Sequence, residues 1–269
     1  MHNATGRARR SDAVVLLACA GFLVMMAAAV GPVGRRRAKE FVCQSNLRQW
    51  TGVFQGYVDE NGGKFISPDM FLAYYWVRGL KDEDKDWQRL QIWLCPEADV
   101  PVYDETGRAS SRPSVFAAWG IYKGADYGPT GLAGSYGVNG YIIPLIGGMY
   151  EGGVYASQGW SDLRAVPNAT AVPMFVDALR FDMWPLESNP PAADEFAVWS
   201  SNNMARCCIN RHDGAVCCLF VDGSARKVGL KELWTLKWHK SFNTAGPRTQ
   251  AGGVQPQDWP AWIRPFKDY

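Results

Sequence analysis

Residues 38–60 read AKEFVCQSNLRQWTGVFQGYVDE. Cys43, Leu47, Trp50, Phe54 and Tyr57 recur at steps of four, three, four and three, the spacing that lines one face of an α-helix. Lys39, Gln44, Arg48, Gln49 and Gln55 fall mostly on other faces, so the stretch predicts an amphipathic helix lying on a folded lobe. Asn61-Gly62-Gly63 ends it with residues that tolerate left-handed backbone. Immediately upstream, residues 13–33 read AVVLLACAGFLVMMAAAVGPV and carry no charge. At about 1.5 Å per residue this run covers roughly 30 Å, the thickness of a bilayer's hydrocarbon core. The expectation is a retained transmembrane helix. The competing reading is a cleaved signal peptide, with Arg7, Arg9 and Arg10 as its basic start and Ala27-Ala28-Ala29 as a small-residue cleavage site. Arg35-Arg36-Arg37, directly behind that cut, would resist translocation and favours retention. The simplest arrangement is one long helix over residues 12–60, kinked or briefly broken at Gly31-Pro32 and Gly34.

The rest of the composition fits this division. The chain has 269 residues, 47% of them hydrophobic and 20% charged, as in a globular protein able to bury a core. Its net charge of +2 gives no case for nucleic acid. Residues 1–40 carry seven basic residues against Asp12 and Glu40, a net +5, and the remainder carries −3. A basic start joined to a mildly acidic body points to a lipid bilayer as partner. The organisation read from sequence is a basic leader (1–12), a long helix (13–60, with 13–33 transmembrane and 34–60 amphipathic), a head domain (61–242) and a tail (243–269).

Beyond residue 63, short apolar runs separated by Gly, Pro, Asn and Asp predict an α+β head built on an antiparallel sheet. Candidate strands are 91–94, 135–138, 172–177, 204–210, 215–221 and 224–228. Segments 103–113, 147–159 and 188–193 read as loops. Arg211-His212-Asp213-Gly214 is a hairpin loop that would set Cys208 opposite Cys217 and Cys207 opposite Cys218, and Asp222-Gly223 is a second turn. Residues 230–242 suit a short amphipathic helix, and the Pro- and Gly-bearing tail is expected to wind over the surface.

Several of these residues also carry a resemblance. Cys43-Gln44-Ser45-Asn46-Leu47-Arg48-Gln49 after an apolar helix is similar to the signature that follows the membrane half of bacterial pseudopilins. Cys95-Pro96 resembles their Cys-Pro element and Ser135-Tyr136-Gly137-Val138-Asn139 their Ser-Tyr-Gly-x-Asn element. His212, followed after nine residues by Asp222-Gly223, resembles the His-X9-Asp-Gly motif of the prepilin-processing-associated subgroup. The motif residues are thus Cys43, Asn46, Leu47, Cys95, Pro96, His212, Asp222 and Gly223. The resemblance implies a type IV pilin-like fold and a non-enzymatic structural subunit of a type II secretion or pilus-like assembly. It further implies an inner-membrane helix, a head on the periplasmic side or cell surface, and other pilin-like subunits as partners. Arg10-Ser11-Asp12-Ala13-Val14-Val15 departs from the family's Gly-Phe-Thr-Leu-Ile-Glu entry, so peptidase processing is not implied. The alternative is a tethered binding module, for carbohydrate or another ligand, that does not polymerise.

The chemistry-bearing residues leave choices open. In an oxidising compartment Cys43 and Cys95 are a candidate disulfide tying helix to head, or else two buried thiols. Cys207-Cys208 and Cys217-Cys218 suit cross-strand pairs better than zinc, because adjacent cysteines on a strand point to opposite faces. No HExxH, Walker A or GxGxxG pattern occurs. Gly134-Ser135-Tyr136-Gly137 has Ala133 where a nucleophile elbow needs glycine, so no catalytic residue, cofactor or metal is assigned. His212 is expected to make a structural hydrogen bond joining the ends of its motif, with Asp213 and Asp222 a weak calcium pair. Twelve tryptophans are either core or a sugar-stacking platform.

Overall fold

The computed structural model describes residues 15–22, 25, 31–65, 92–98, 100–101, 115–120, 133–196 and 202–269. The chain divides into two units, Met1–Lys39 and Glu40–Tyr269. In the first, residues 15–22 are helical with exposed side chains. A helix α1, Pro32–Glu60, begins there and runs into the second unit. Pro32 stands at its first turn, where a missing N–H costs nothing. Asn61, Gly62 and Gly63 end it, with φ of 65° at Gly62 and 89° at Gly63.

From Glu40 on, α1 buries Cys43, Leu47, Trp50, Phe54 and Val58. The stripe follows the sequence spacing until its last turn, where Val58 faces inward and Tyr57 is half-buried. Trp50 Nε1 donates to the Ile92 carbonyl at 3.0 Å, and Phe54 stacks on Phe175 with ring centres 4.6 Å apart. Each such side chain removed from water contributes on the order of 1.5–3 kcal/mol before entropy is counted.

The strands, in chain order, are β1 (Val100–Pro101), β2 (Ala117–Gly120), β3 (Ala133–Gly134), β4 (Tyr136–Asn139), β5 (Pro173–Asp177), β6 (Asp182–Met183), β7 (Ala215–Phe220) and β8 (Ala225–Gly229). The main sheet has the order β6-β4-β5-β7-β8, antiparallel except where β6 runs parallel to β4. A smaller sheet has the order β1-β2-β3. Every residue of β4, β5 and β7 is buried, so these strands are covered on both faces rather than alternating between core and solvent.

The expected fold class, a pilin-like transmembrane helix packed on an antiparallel head, is corrected here. Among the described residues no helix is long and apolar enough to cross a membrane. Residues 15–22 cover only about 12 Å of the roughly 30 Å required. The helix α1 is long enough but carries Arg35, Arg36, Arg37, Lys39, Glu40, Arg48, Asp59 and Glu60, which a bilayer excludes. Single-pass inner-membrane placement is therefore not supported; the remaining positions of 13–33 lie outside the described residues. The main sheet is mixed, not antiparallel.

Local expectations are also revised. Residues 204–210 form a 3-10 turn at Met204–Arg206 and then irregular backbone, so the hairpin with β7 is absent. Cys217 and Cys218 instead sit opposite Lys227 and Arg226 of β8. Residues 92–94 are a turn rather than a strand, and 230–242 contain only the 3-10 helix Lys231–Thr235. The tail is not superficial: Trp259 and Ile263 are fully buried, and Trp259 packs edge-on against Trp234. Segment 103–113 lies outside the described residues.

Candidate functional site

The fold gathers the motif fragments that carry Cys43, Cys95, Ser135-Tyr136 and His212 around one buried polar cluster, and leaves Asp222-Gly223 at the far end of β7. Cys43 comes from the first buried turn of α1, Cys95 from the turn at 92–98, Asp177 from the end of β5 and His212 from the loop before β7. Side-chain hydrogen bonds tie these segments together. Asn46 Nδ2 donates to the Leu94 carbonyl at 2.9 Å, and the Cys95 N–H donates to Ser135 Oγ at 2.6 Å. Arg211, beside His212, donates to the carbonyls of Val115, Ser135 and Ala117, and to Asp177 Oδ1 at 3.0 Å. It thereby joins the small sheet to the large one.

At the centre, His212 Nε2 lies 3.1 Å from Asp177 Oδ2 and 3.3 Å from Cys95 Sγ. Cys43 Sγ lies 3.7 Å from both Asp177 oxygens and 3.2 Å from Tyr136 Oη. The Cys217 N–H donates to Asp177 Oδ2 at 2.7 Å. One donor atom from each of Cys43, Cys95, Asp177 and His212 falls within 4.8 Å of all the others, and all four residues are buried. Among the described residues this is the grouping of His, Cys, Asp and Glu side chains close enough to share an ion.

The electrostatics follow from burial and the two cations. Burial alone would raise the Asp177 carboxyl, but the charges of His212 and Arg211 outweigh it and hold it at about 2. Burial would lower His212, yet Asp177 outweighs it and raises the imidazole to about 10. Burial pushes the Cys43 and Cys95 thiols well above their ordinary value. A Cys–His nucleophile pair needs a lowered thiol, access to substrate and a carboxylate on the far imidazole nitrogen. Here Asp177 and Cys95 both face Nε2, and neither sulfur reaches solvent. The arrangement suits holding segments together.

The candidate Cys43–Cys95 disulfide is not formed: both are free thiols lying side by side, turned toward Tyr136 and His212 respectively. Leu47 is in the core, and Pro96 is half-buried in the turn after Cys95. Asp222 Oδ1 accepts from the Ser224 N–H and hydroxyl at the β7–β8 turn. Gly223, at φ 83°, offers its carbonyl to Thr51 Oγ1 of α1 at 3.1 Å. His212 and Asp222 sit at opposite ends of β7, so the motif does not close on itself, and Asp213 and Asp222 are likewise apart. Cys207, Cys208, Cys217 and Cys218 are buried free thiols. Ser135 Oγ accepts from the Cys95 N–H rather than pairing with a histidine, and His239 Nδ1 lies 3.0 Å from the neighbouring Ser241 Oγ. The described tryptophans are buried or half-buried, which removes the sugar platform there.

Asp177 and Arg211 were not singled out by sequence. The terminal acid of the apolar run PMFVD and the arginine abutting His212 were the available signals. A separate groove of about 190 Å³ lies between α1 and the β7–β8 turn, lined by Thr51, Gln55, Asp59, Arg164 and Gly223 among others. Comparison with known protein families, curated proteins and solved structures finds no match.

Proposed function

We propose that the chain is a non-catalytic structural subunit of a type II secretion or pilus-like assembly, joined to neighbouring subunits through the exposed side of α1. The observation that carries this reading is that the motif-bearing residues act as internal fasteners: Asn46 holds Leu94, Cys95 holds Ser135 and meets His212, and Gly223 holds Thr51. Residues used in this way shape a lobe and present a helix; they do not process a substrate. The inward stripe of α1 is consumed by the lobe's own core, so contact with another subunit falls to the opposite side, where Phe41 and Val42 remain 66% and 44% exposed. The motif resemblance supports the assembly role, and no membrane-spanning helix is part of the proposal.

A photo-crosslinking residue placed at Phe41 in the native host tests it. The expected adduct joins the chain to itself or to a subunit bearing the same Cys-x-x-Asn-Leu-Arg-Gln signature, and Phe41→Asp abolishes co-purification while leaving the fold intact. Crosslinking that yields only unreacted monomer would refute the assembly role.

A further inference from the structure

We propose that Cys43, Cys95, Asp177 and His212 form a tetrahedral zinc site that clamps four separated segments of the chain. The donor set is the first argument. Two thiolates, an imidazole and a carboxylate are the ligand types zinc takes, and four protein ligands with no open position describe a structural site.

The spacing is the second argument. With Zn–S near 2.3 Å and Zn–N or Zn–O near 2.0–2.1 Å, the edges of a regular tetrahedron run from about 3.4 Å between N and O to about 3.6 Å between S and either, and about 3.8 Å between sulfurs. The observed edges are 3.1 Å for His212–Asp177, 3.3 Å for Cys95–His212 and 3.7 Å for Cys43–Asp177. All pairs lie within 4.8 Å, so an ion seats after side-chain shifts of a few tenths of an ångström along most edges.

The surroundings are the third argument. Arg211 Nη1 and the Cys217 N–H fix the Asp177 carboxylate, one on each oxygen, and Tyr136 Oη stands 3.2 Å from Cys43 Sγ, in place to donate to a thiolate. Such outer partners orient ligands around a metal. The charges also close: Zn²⁺ with two thiolates and one carboxylate is −1, and the Arg211 guanidinium returns the buried cluster to neutrality. Placing four ligands on α1, the 92–98 turn, β5 and the pre-β7 loop makes the ion a cross-link between segments distant in sequence.

The test is a measurement on the full wild-type chain, purified under reducing conditions without chelator and titrated with zinc chloride, then with cobalt chloride. The expected result is one zinc per chain by elemental mass spectrometry, retained against a moderate chelator. The cobalt form should give the intense visible bands of a tetrahedral ion with thiolate-to-cobalt charge transfer. His212→Cys should keep one metal with an added thiolate contribution to the spectrum. Cys43→Ser should lose at least tenfold in affinity, and Cys207→Ser, outside the cluster, should change nothing. Absence of metal uptake by the folded wild-type chain overturns the proposal. So does an octahedral cobalt spectrum, or a Cys43–Cys95 disulfide in the native protein.

Discussion

Arg211 Nη1 donates to Asp177 Oδ1 at 3.0 Å, and neither side chain reaches solvent. A charge pair this deep is costly to break from one side, because the survivor is left buried without its counter-ion. Asp177→Asn, measured by urea unfolding with chelator present, is expected to cost about 3–5 kcal/mol. Arg211→Met should cost a similar amount, and the double variant should recover part of the sum, which the double-mutant cycle reads directly.

The inward face of α1 sets the second expectation. Trp50, 1% exposed and wedged against Phe54 and Trp93, should cost about 3–5 kcal/mol as Trp50→Ala. Phe41→Ser, on the exposed side, should change stability by no more than about 0.5 kcal/mol. A large effect at Phe41 would mean that this side is covered.

Gly223 combines two constraints. Its φ is 83°, and a Cβ there would stand 2.7 Å from Thr51 Cγ2. Gly223→Ala is therefore expected to lower stability by about 1–3 kcal/mol. Adding Thr51→Ser, which removes the methyl but keeps the hydroxyl that bonds the Gly223 carbonyl, should return only the steric share.

The acid side of the stability profile has its own marker. Burial, helped by the charge of Lys237, lowers His239 to about 4, so its neutral form is favoured in the folded chain. A depressed histidine contributes stability that is complete above its unfolded value near 6.5 and is lost as pH falls through about 4. The loss approaches roughly 3 kcal/mol. Asp182 acts in the opposite sense: burial raises it to about 6 despite Arg180 and Arg206, so its contribution grows on acidification. Comparing thermal midpoints of wild type and His239→Gln between pH 7 and pH 4 isolates the histidine. The difference between the two should shrink as pH falls.

How much of this was legible in the chain depends on the range of the interaction. Cys43, Leu47, Trp50 and Phe54 are buried as a helical period requires, because that signal is local. The runs that became β5, β7 and β8, and the Asp222-Gly223 turn, were likewise visible as apolar stretches and punctuation. Pairing was not. Residues 204–210 look like a partner for β7, yet β5 holds that edge from some forty residues upstream, and only the packed core decides between them. Trp259 and Ile263 filling the core from the tail, and β6 running parallel to β4, are equally non-local. An uncharged run at 13–33 has the length of a membrane span, but neither residues 15–22 nor the charged helix α1 has the combination of length and apolarity that a span needs. At the cluster, Cys43, Cys95 and His212 were marked by their motifs. Asp177 and Arg211 were not, because nothing in a local window distinguishes a buried ion pair from a solvated acid and base.

The convergence of Cys43, Cys95, Asp177 and His212 is read most directly by X-ray absorption at the zinc edge on the full-length chain loaded with one equivalent of zinc. The expected spectrum has two sulfurs at about 2.3 Å and two nitrogen or oxygen neighbours at about 2.0–2.1 Å from the ion. A shell of oxygen and nitrogen alone, or zinc that washes away before measurement, would contradict it.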